Sequence, residues 1–527
     1  MIRNKPVYPA IVFLLIFFAC SNEIRIGGED GDDPQVSAPS YLRLALRCPP
    51  APAINAIRSN PTGGEPGDGS ETALDNEYRI DNFLLLFYRA DERSNAPATT
   101  PIDKIMYFER EADGKDTTLI AVNLPAGEYD LLVATNTGDI RSALRGKTLG
   151  GIRDFLITSA WQEEKGVCSR FVMTSDGHTA NRVTLCGNPK EQPAGVTIEV
   201  ERLAARIDYR TTQTNYRITD PDYGTAGVSI VGGIILNKMK AGSYFLKRVA
   251  DADADGKLLP SAPVEYLGDE LPVTGGAQQN YVVDPWSFVK TTTDASTLYD
   301  NYYTSFGNTP ADWEKVTTES IPSGDWQRLG YTMENTVSRE YQTDAYTTLV
   351  VFRARYTPEG FSEGQTFYTC NGKLYASREE AQKEGTTYKM PVHEYPGGIC
   401  YYTWRVRHSN DGNDATRGIM EYAIVRNNIY RLRISDIYAL GGEVPFPDRD
   451  PKPTPPDEPV DPDHPVKPDE PDEPDQPDDP VNPEKPDKPD KPDEPDDPDD
   501  PEPTTPKIKI KVSVETWTTE ASTEIYL

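Results

Sequence analysis

The sequence predicts an all-β chain of two tandem β-sandwich domains, followed by an extended linker and an isolated C-terminal strand. Three observations carry that prediction. Short apolar runs rich in β-branched and aromatic residues recur between turn residues along the chain. Tyrosine, which favours half-buried pleated surfaces, occurs 29 times. Helical periodicity is sparse and shows at residues 152–160 and in a turn at 378–383.

The N-terminus reads as a targeting segment. Arg3 and Lys5 precede the apolar run 11–18 (IVFLLIFF), which is too short to span a bilayer as a finished helix. The run ends in Phe18-Ala19-Cys20. A small residue followed by cysteine after such a run is the arrangement in which the thiol is diacylated and the peptide cut before it. Residues 1–19 are therefore read as a lipoprotein signal peptide and Cys20 as the lipidation site, since two or more acyl chains anchor stably where one does not. A plain secretory signal with an incidental cysteine is the competing reading. The acidic spacer 21–37 has no core-forming pattern.

Strand-like runs follow. Residues 41–47 (YLRLALR) alternate apolar and basic, and 83–88 (FLLLFY) suit a strand buried on both faces. Residues 119–122 and 129–134 flank Pro125-Ala126-Gly127 and read as a hairpin. Residues 196–209 begin with β-branched alternation, and a domain break is placed near 201–210. Further strands are expected at 347–356, 399–406 and 429–437.

From about residue 447 to 506 the chain becomes Pro-Asp-Glu-Lys repeats, and about half of the net charge of −30 lies there. Regular proline forbids helix and central strand. The tract should be an extended spacer reaching at most on the order of 170 Å. Beyond it, residues 507–527 (KIKIKVSVETWTTEASTEIYL) alternate strictly at Ile508, Ile510, Val512 and Val514, then add Trp517, Ile525 and Leu527. An isolated strand is unstable in water, so this one needs a sheet edge. It either folds back onto its own domains or completes a sheet in another molecule.

An acidic surface argues against nucleic acid and anionic lipid headgroups as partners. The four histidines, His178, His393, His408 and His464, sit in no HExxH or GxSxG setting, and no phosphate-binding or dinucleotide fingerprint appears. The expectation is no enzyme, no cofactor and no metal. The tract Asp251, Asp253, Asp255, Gly256 resembles the start of a calcium loop, but Ala262 stands where a bidentate glutamate is required, so a polar hairpin tip is the simpler reading. Cys168 with Cys186, and Cys370 with Cys400, are candidate disulfides, with buried thiols as the alternative. Tyr401, Tyr402 and Trp404 are either a ligand platform or core.

In order, several pieces resemble the fimbrillins that build type V pili on Gram-negative anaerobes. These are Cys20, 124–136 (LPAGEYDLLVATN), 171–177 (FVMTSDG), 200–206 (VERLAAR), 331–335 (YTMEN), 397–404 (GGICYYTW), 422–441 (YAIVRNNIYRLRISDIYALG) and the strand bearing Trp517. The second half is most similar to the minor-fimbrillin branch, and the long proline-acid spacer departs from it. The resemblance implies two transthyretin-like sandwiches, at 59–201 and 202–446, after a lipidated propeptide, 20–58, that carries the first strand. It implies a lipoprotein precursor at the outer membrane, cut by an arginine-specific protease after Arg58, with Arg47 or Arg43 as alternatives. The first strand then leaves, and the donor strand 507–527 of another copy or a related subunit fills the vacancy. The product would be a head-to-tail extracellular fibre supporting adhesion. A monomeric surface adhesin or glycan-binding lipoprotein is the other function carried forward.

Overall fold

The computed structural model describes residues 39–47, 70–90, 97–110, 119–175, 181–250, 264–265, 281–293, 295–304, 313, 319–320, 326–408, 420–445, 507–518 and 525–526. Cys20, Cys48, Arg58, the calcium-loop-like tract, the linker 447–506 and Leu527 lie outside the described residues, as do His178 and His464. The chain is mainly β, with several sheets and few helices.

The principal strands, in chain order, are β1 (Ser40–Arg47), β2 (Ser70–Thr72), β3 (Asn82–Arg89), β4 (Lys104–Glu109), β5 (Ile120–Val122), β6 (Gly127–Thr135), β7 (Met173–Ser175), β8 (Arg182–Leu185) and β9 (Ala194–Arg202). They continue with β10 (Ala204–Thr211), β11 (Tyr216–Asp220), β12 (Gly224–Leu236), β13 (Glu319–Ser320), β14 (Gln327–Met333), β15 (Leu349–Pro358), β16 (Ile399–Arg405) and β17 (Asn428–Ile437). Beyond the linker come β18 (Ile508–Thr518) and β19 (Ile525–Tyr526).

One sheet runs β19-β1-β9-β7-β6-β3-β4, with β8 paired to β6 and β5 to β1. A second runs β2-β18-β17-β10-β14-β13, and a third β11-β12-β15-β16. The second and third bury a shared core in which Ile207, Tyr209, Leu432 and Ile434 meet Val228, Phe352 and Tyr402. Strand β3 is buried on both faces, as its unbroken apolar run requires. Phe83, Leu85 and Phe87 face the β1 side, while Leu84 and Leu86 face Phe171, Leu203 and Tyr331.

Four local expectations are corrected. The two runs around Pro125 are strands but not a hairpin: β5 pairs with β1, and β6 with β3, β7 and β8. The run 196–209 is two strands, because the chain passes from the first sheet to the second at fully buried Leu203. The helix expected at 152–160 is Leu149–Arg153 only, since Leu156 and Ile157 extend to pair with Ser243 and Tyr244. The turn at 378–383 is a full helix, Arg378–Tyr388, whose Ser377 cap accepts from Glu380 N at 3.3 Å.

A buried ion cluster ties the crossing of the two sheets. The short helix Asp75–Tyr78 carries Glu77, which is fully buried, as is Arg206 of β10. Arg206 donates to Glu77 at 2.9 Å and to Asp208 at 3.0 Å, and the Tyr331 hydroxyl donates to Glu77 at 2.6 Å. Burial pushes the Glu77 carboxyl up, yet Arg206, the Tyr331 hydroxyl, the Leu74 amide and Arg202 together hold it below its ordinary 4.5. Glu77→Ala is expected to cost about 3 kcal/mol at neutral pH, because Arg206 loses a buried carboxylate partner. The check is the midpoint of chemical denaturation, and an unchanged midpoint refutes it. The lowered value makes this contribution complete above 4.5 and lost as pH falls through the folded value. The gap between wild type and variant therefore closes in acid.

Candidate functional site

The first strand occupies a slot. Over Leu42 to Arg47 its one edge pairs parallel with β9, from Leu42 opposite Ala194 to Arg47 opposite Glu199. Its other edge pairs antiparallel with β5 at Ser40, Tyr41 and Leu42, and with β19 at Ala45 and Leu46. Leu42, Leu44 and Leu46 are fully buried against Phe83, Leu85, Phe87, Leu131 and Ile198. Arg43 and Arg47 point outward, and Arg47 Nε donates to Glu199 at 3.0 Å. Parallel pairing means that no tight turn joins β1 to β9. Withdrawing β1 would break no hairpin and would open an apolar slot between β9 and β5.

The C-terminal strand also has a place. Strand β18 lies antiparallel to β17, from Ile508 opposite Ile437 to Thr516 opposite Asn428, with an irregularity between Ile434 and Asp436. Ile508, Ile510 and Val514 are buried in the second core and Val512 packs against it. At its far end Thr516, Trp517 and Thr518 pair parallel with Ser70, Glu71 and Thr72. The chain then reaches the first sheet, where Ile525 lies opposite Leu46.

Arg431 binds these pieces together. Its guanidinium meets Glu71 at 3.0 Å and Glu515 at 2.8 Å, and lies over the Trp326 ring at 5.0 Å. Burial raises the Glu515 carboxyl, against the pull of Arg431, and Glu71 adds to the rise. Sequence reading missed this cluster. Its signal was a cation in the middle of an apolar strand, which on a buried sheet calls for carboxylate partners.

Among the described residues no disulfide joins Cys168, Cys186, Cys370 and Cys400. The members of each candidate pair sit on different pieces. Cys168 lies in the ribbon strand Val167–Ser169 and Cys186 follows β8, while Cys370 lies in Phe367–Cys370 and Cys400 in β16. Burial pushes the Cys400 thiol up to about 11. The aromatic platform is not exposed either: Tyr402 is buried with its hydroxyl donating to Ala439 O at 2.9 Å, and Tyr401 lies against Trp313. His393 pairs with Glu443 at 2.8 Å, and buried His408 lies 2.9 Å from the Tyr430 hydroxyl. Among the described residues no cluster of three or more His, Cys, Asp or Glu is arranged for a metal ion, and no helix is long and apolar enough to cross a membrane.

Residues 393–523 match the family model for the major fimbrial subunit protein type IV, Fimbrillin, C-terminal. This stretch of the chain is similar to the fimbrillin C-terminal domain. That match spans β16, β17 and all of β18, so the strand beyond the linker is part of the fimbrillin pattern. No curated protein matches this sequence. Among solved structures, the tip fimbrial protein Mfa3 of Porphyromonas gingivalis, C-terminally truncated, is 11% identical with a TM-score of 0.34, covering 78% of this chain and 96% of that one. A candidate cell adhesion protein of Bacteroides eggerthii is 12% identical at TM-score 0.37, covering 93% and 99%. The fimbrial anchor protein Mfa2 of Porphyromonas gingivalis is 9% identical at TM-score 0.25, covering 76% and 91%.

The position of β18 makes a direct prediction for the fimbrillin domain. A chain ending at residue 506 should still fold its first sheet, but the β17 edge loses its partner. Backbone amides of β17 that face β18 should then exchange hydrogen at least tenfold faster, by the loss of three or more ladder bonds. Exchange measured by mass spectrometry that is unchanged in 428–437 would show that β18 does not cover this edge.

Proposed function

We propose that this chain is a fimbrial subunit activated by removal of its first strand and assembled by strand exchange. It is exported as a lipoprotein through Cys20 and cut after Arg58. The segment 507–527 of one subunit then enters the slot that β1 leaves in the next. The observation that carries this reading is the match between slot and ribbon. Leu42, Leu44 and Leu46 fill the slot at every second residue, and Ile508, Ile510, Val512 and Val514 repeat the same spacing. Burying side chains of this kind is worth about 1.5–3 kcal/mol each, enough to offset ordering costs of several kcal/mol.

The anchoring of the chain on either side of the predicted cut also supports it. Upstream, β1 is held by strand pairing and apolar burial. Downstream, Glu77 is locked to Arg206, so a break between them would free β1 and leave the body intact. In the single chain β18 lies against its own β17, and exchange therefore requires that β18 trade one sheet edge for another. That same arrangement favours the second reading, a monomeric surface adhesin whose C-terminal strand stays at home. The tandem transthyretin-like sandwiches, the outer-membrane precursor and the partners, other copies or related fimbrial subunits, belong to the first reading.

Limited trypsin digestion separates the two. Strand exchange predicts a product beginning at Ser59 and, after it, a ladder of oligomers on a denaturing gel. A chain ending at residue 506 should be cut identically and stay monomeric. Complete cleavage without oligomers refutes exchange and leaves the adhesin, and a ladder of normal length from the truncated chain refutes the donor assignment.

A further inference from the structure

Between β12 and β14 the chain makes a long excursion, and a compact polar group is sealed between it and the residues that follow β14. Asp284, Ser287, Lys290, Asn335 and Thr336 are all buried to 2% exposure or less, and Lys290 is wholly buried. The Lys290 Nζ lies 2.6 Å from Asn335 Oδ1 and 2.8 Å from Asp284 Oδ2. The ammonium is a donor without acceptor capacity, so the Asn335 atom it faces is the carbonyl oxygen. The Asn335 Nδ2 is turned away, donating to Tyr346 O and Thr348 Oγ1, each at 3.0 Å. Asn335 is also fixed through its backbone, which exchanges hydrogen bonds with Ile424. Asp284 is held by the Trp286 amide at 2.7 Å and the Thr336 amide at 2.7 Å. Trp286 packs on Tyr302, and the Tyr303 hydroxyl donates to Tyr346 O, closing the site with aromatic rings.

An amine, a carboxamide and a carboxylate thus converge in a dry pocket, with the amine in contact with the carbonyl and the carboxylate touching the amine. We infer that Lys290 and Asn335 form an intramolecular isopeptide bond, with Asp284 as the proton-transfer group. The reaction needs no co-reactant. Asp284 takes a proton from the Lys290 ammonium, leaving a neutral amine and a carboxylic acid. The Nζ lone pair attacks Asn335 Cγ, and the Nζ–Cγ bond forms as the carbonyl π pair moves to oxygen. The nitrogen loses a further proton by way of Asp284 to the carboxamide nitrogen. The carbonyl re-forms, the Cγ–Nδ2 bond breaks with its electron pair on nitrogen, and ammonia leaves. Ammonia carries off the remaining proton of Asp284 as ammonium, so the carboxylate is restored. Burial pushes the Lys290 amine below its ordinary 10.5 against the pull of Asp284, which favours the neutral nucleophile. Holding the reacting groups in contact replaces the encounter that makes amide exchange slow in water.

The bond would link positions 45 residues apart and pin the excursion to the end of β14. It is a covalent staple in a chain whose described cysteines form no disulfide. It stands independently of the fimbrial reading, since it concerns one polypeptide and no assembly.

Tryptic peptide mapping of the denatured full chain tests it. The bond predicts that trypsin fails to cut after Lys290. Residues 258–315 should then appear as one arm of a branched peptide whose other arm is 329–339, lighter than the two together by one ammonia. A linear peptide ending at Lys290, with 329–339 recovered unbranched after prolonged incubation of folded protein, overturns the proposal. Loss of water within 258–315, with 329–339 recovered unbranched, places the bond at Asp284 and overturns the choice of Asn335. Asp284→Asn should keep the native circular dichroism and yield the two linear peptides, and a folded variant that still forms the branch removes Asp284 from the reaction. The wild-type map decides the bond itself even where that variant does not fold.

Discussion

A strand that alternates apolar and polar residues has one face that must be dry and two edges that must be paired or solvated. That constraint governs both ends of this chain. At the N-terminal end Leu42, Leu44 and Leu46 close the first core while β9, β5 and β19 take up the edges. At the C-terminal end Ile508, Ile510 and Val514 close the second core while β17 takes one edge and β2 part of the other. Neither strand is tied by a hairpin to its principal neighbour. Both therefore depend on pairing over long sequence separations, the kind of contact that is costly to form and can be exchanged for an equivalent one.

Buried charge holds the parts between these two ends. Arg202, Arg206 and Arg426 are among the largest wholly buried side chains, although the protein as a whole is acidic. Arg206 is matched by Glu77 and Asp208, and Arg426 by Glu334 at 2.7 Å. Such pairs add little net stability over a well-packed apolar core, but losing one partner is expensive. They act by fixing which piece goes where. Glu77 sits on the segment that follows the predicted cut, and Arg206 stands on β10 in the middle of the second sheet, so the pair sets the crossing of the two sheets.

Most of the strands were legible in the sequence because their side-chain period is short and local. The runs beginning at Tyr41, Phe83, Thr347, Ile399 and Ile429 are strands in the structure within one or two residues. Partnership was not legible. The run at 119–122 looked like half of a hairpin with 129–134, yet it pairs with β1 from far up the chain. The break placed near 201–210 said nothing of which sheets meet at Leu203, where the chain changes sheet. Of the candidate site, the alternation of Ile508, Ile510, Val512 and Val514 was visible. The Arg431 cluster was not, because Glu71, Glu515 and Arg431 lie in three separate parts of the sequence.

By itself the sequence determined an acidic, β-rich chain with a proline-broken spacer and an apolar ribbon after it, since composition and period are properties of neighbouring residues. The tertiary structure alone decided that the ribbon lies on β17, that β1 fills a slot between β9 and β5, and that Lys290, Asn335 and Asp284 meet out of water. Those are matters of which edges and which buried groups come together, and pairing across long loops is set by the competition among all available partners, which no local pattern encodes.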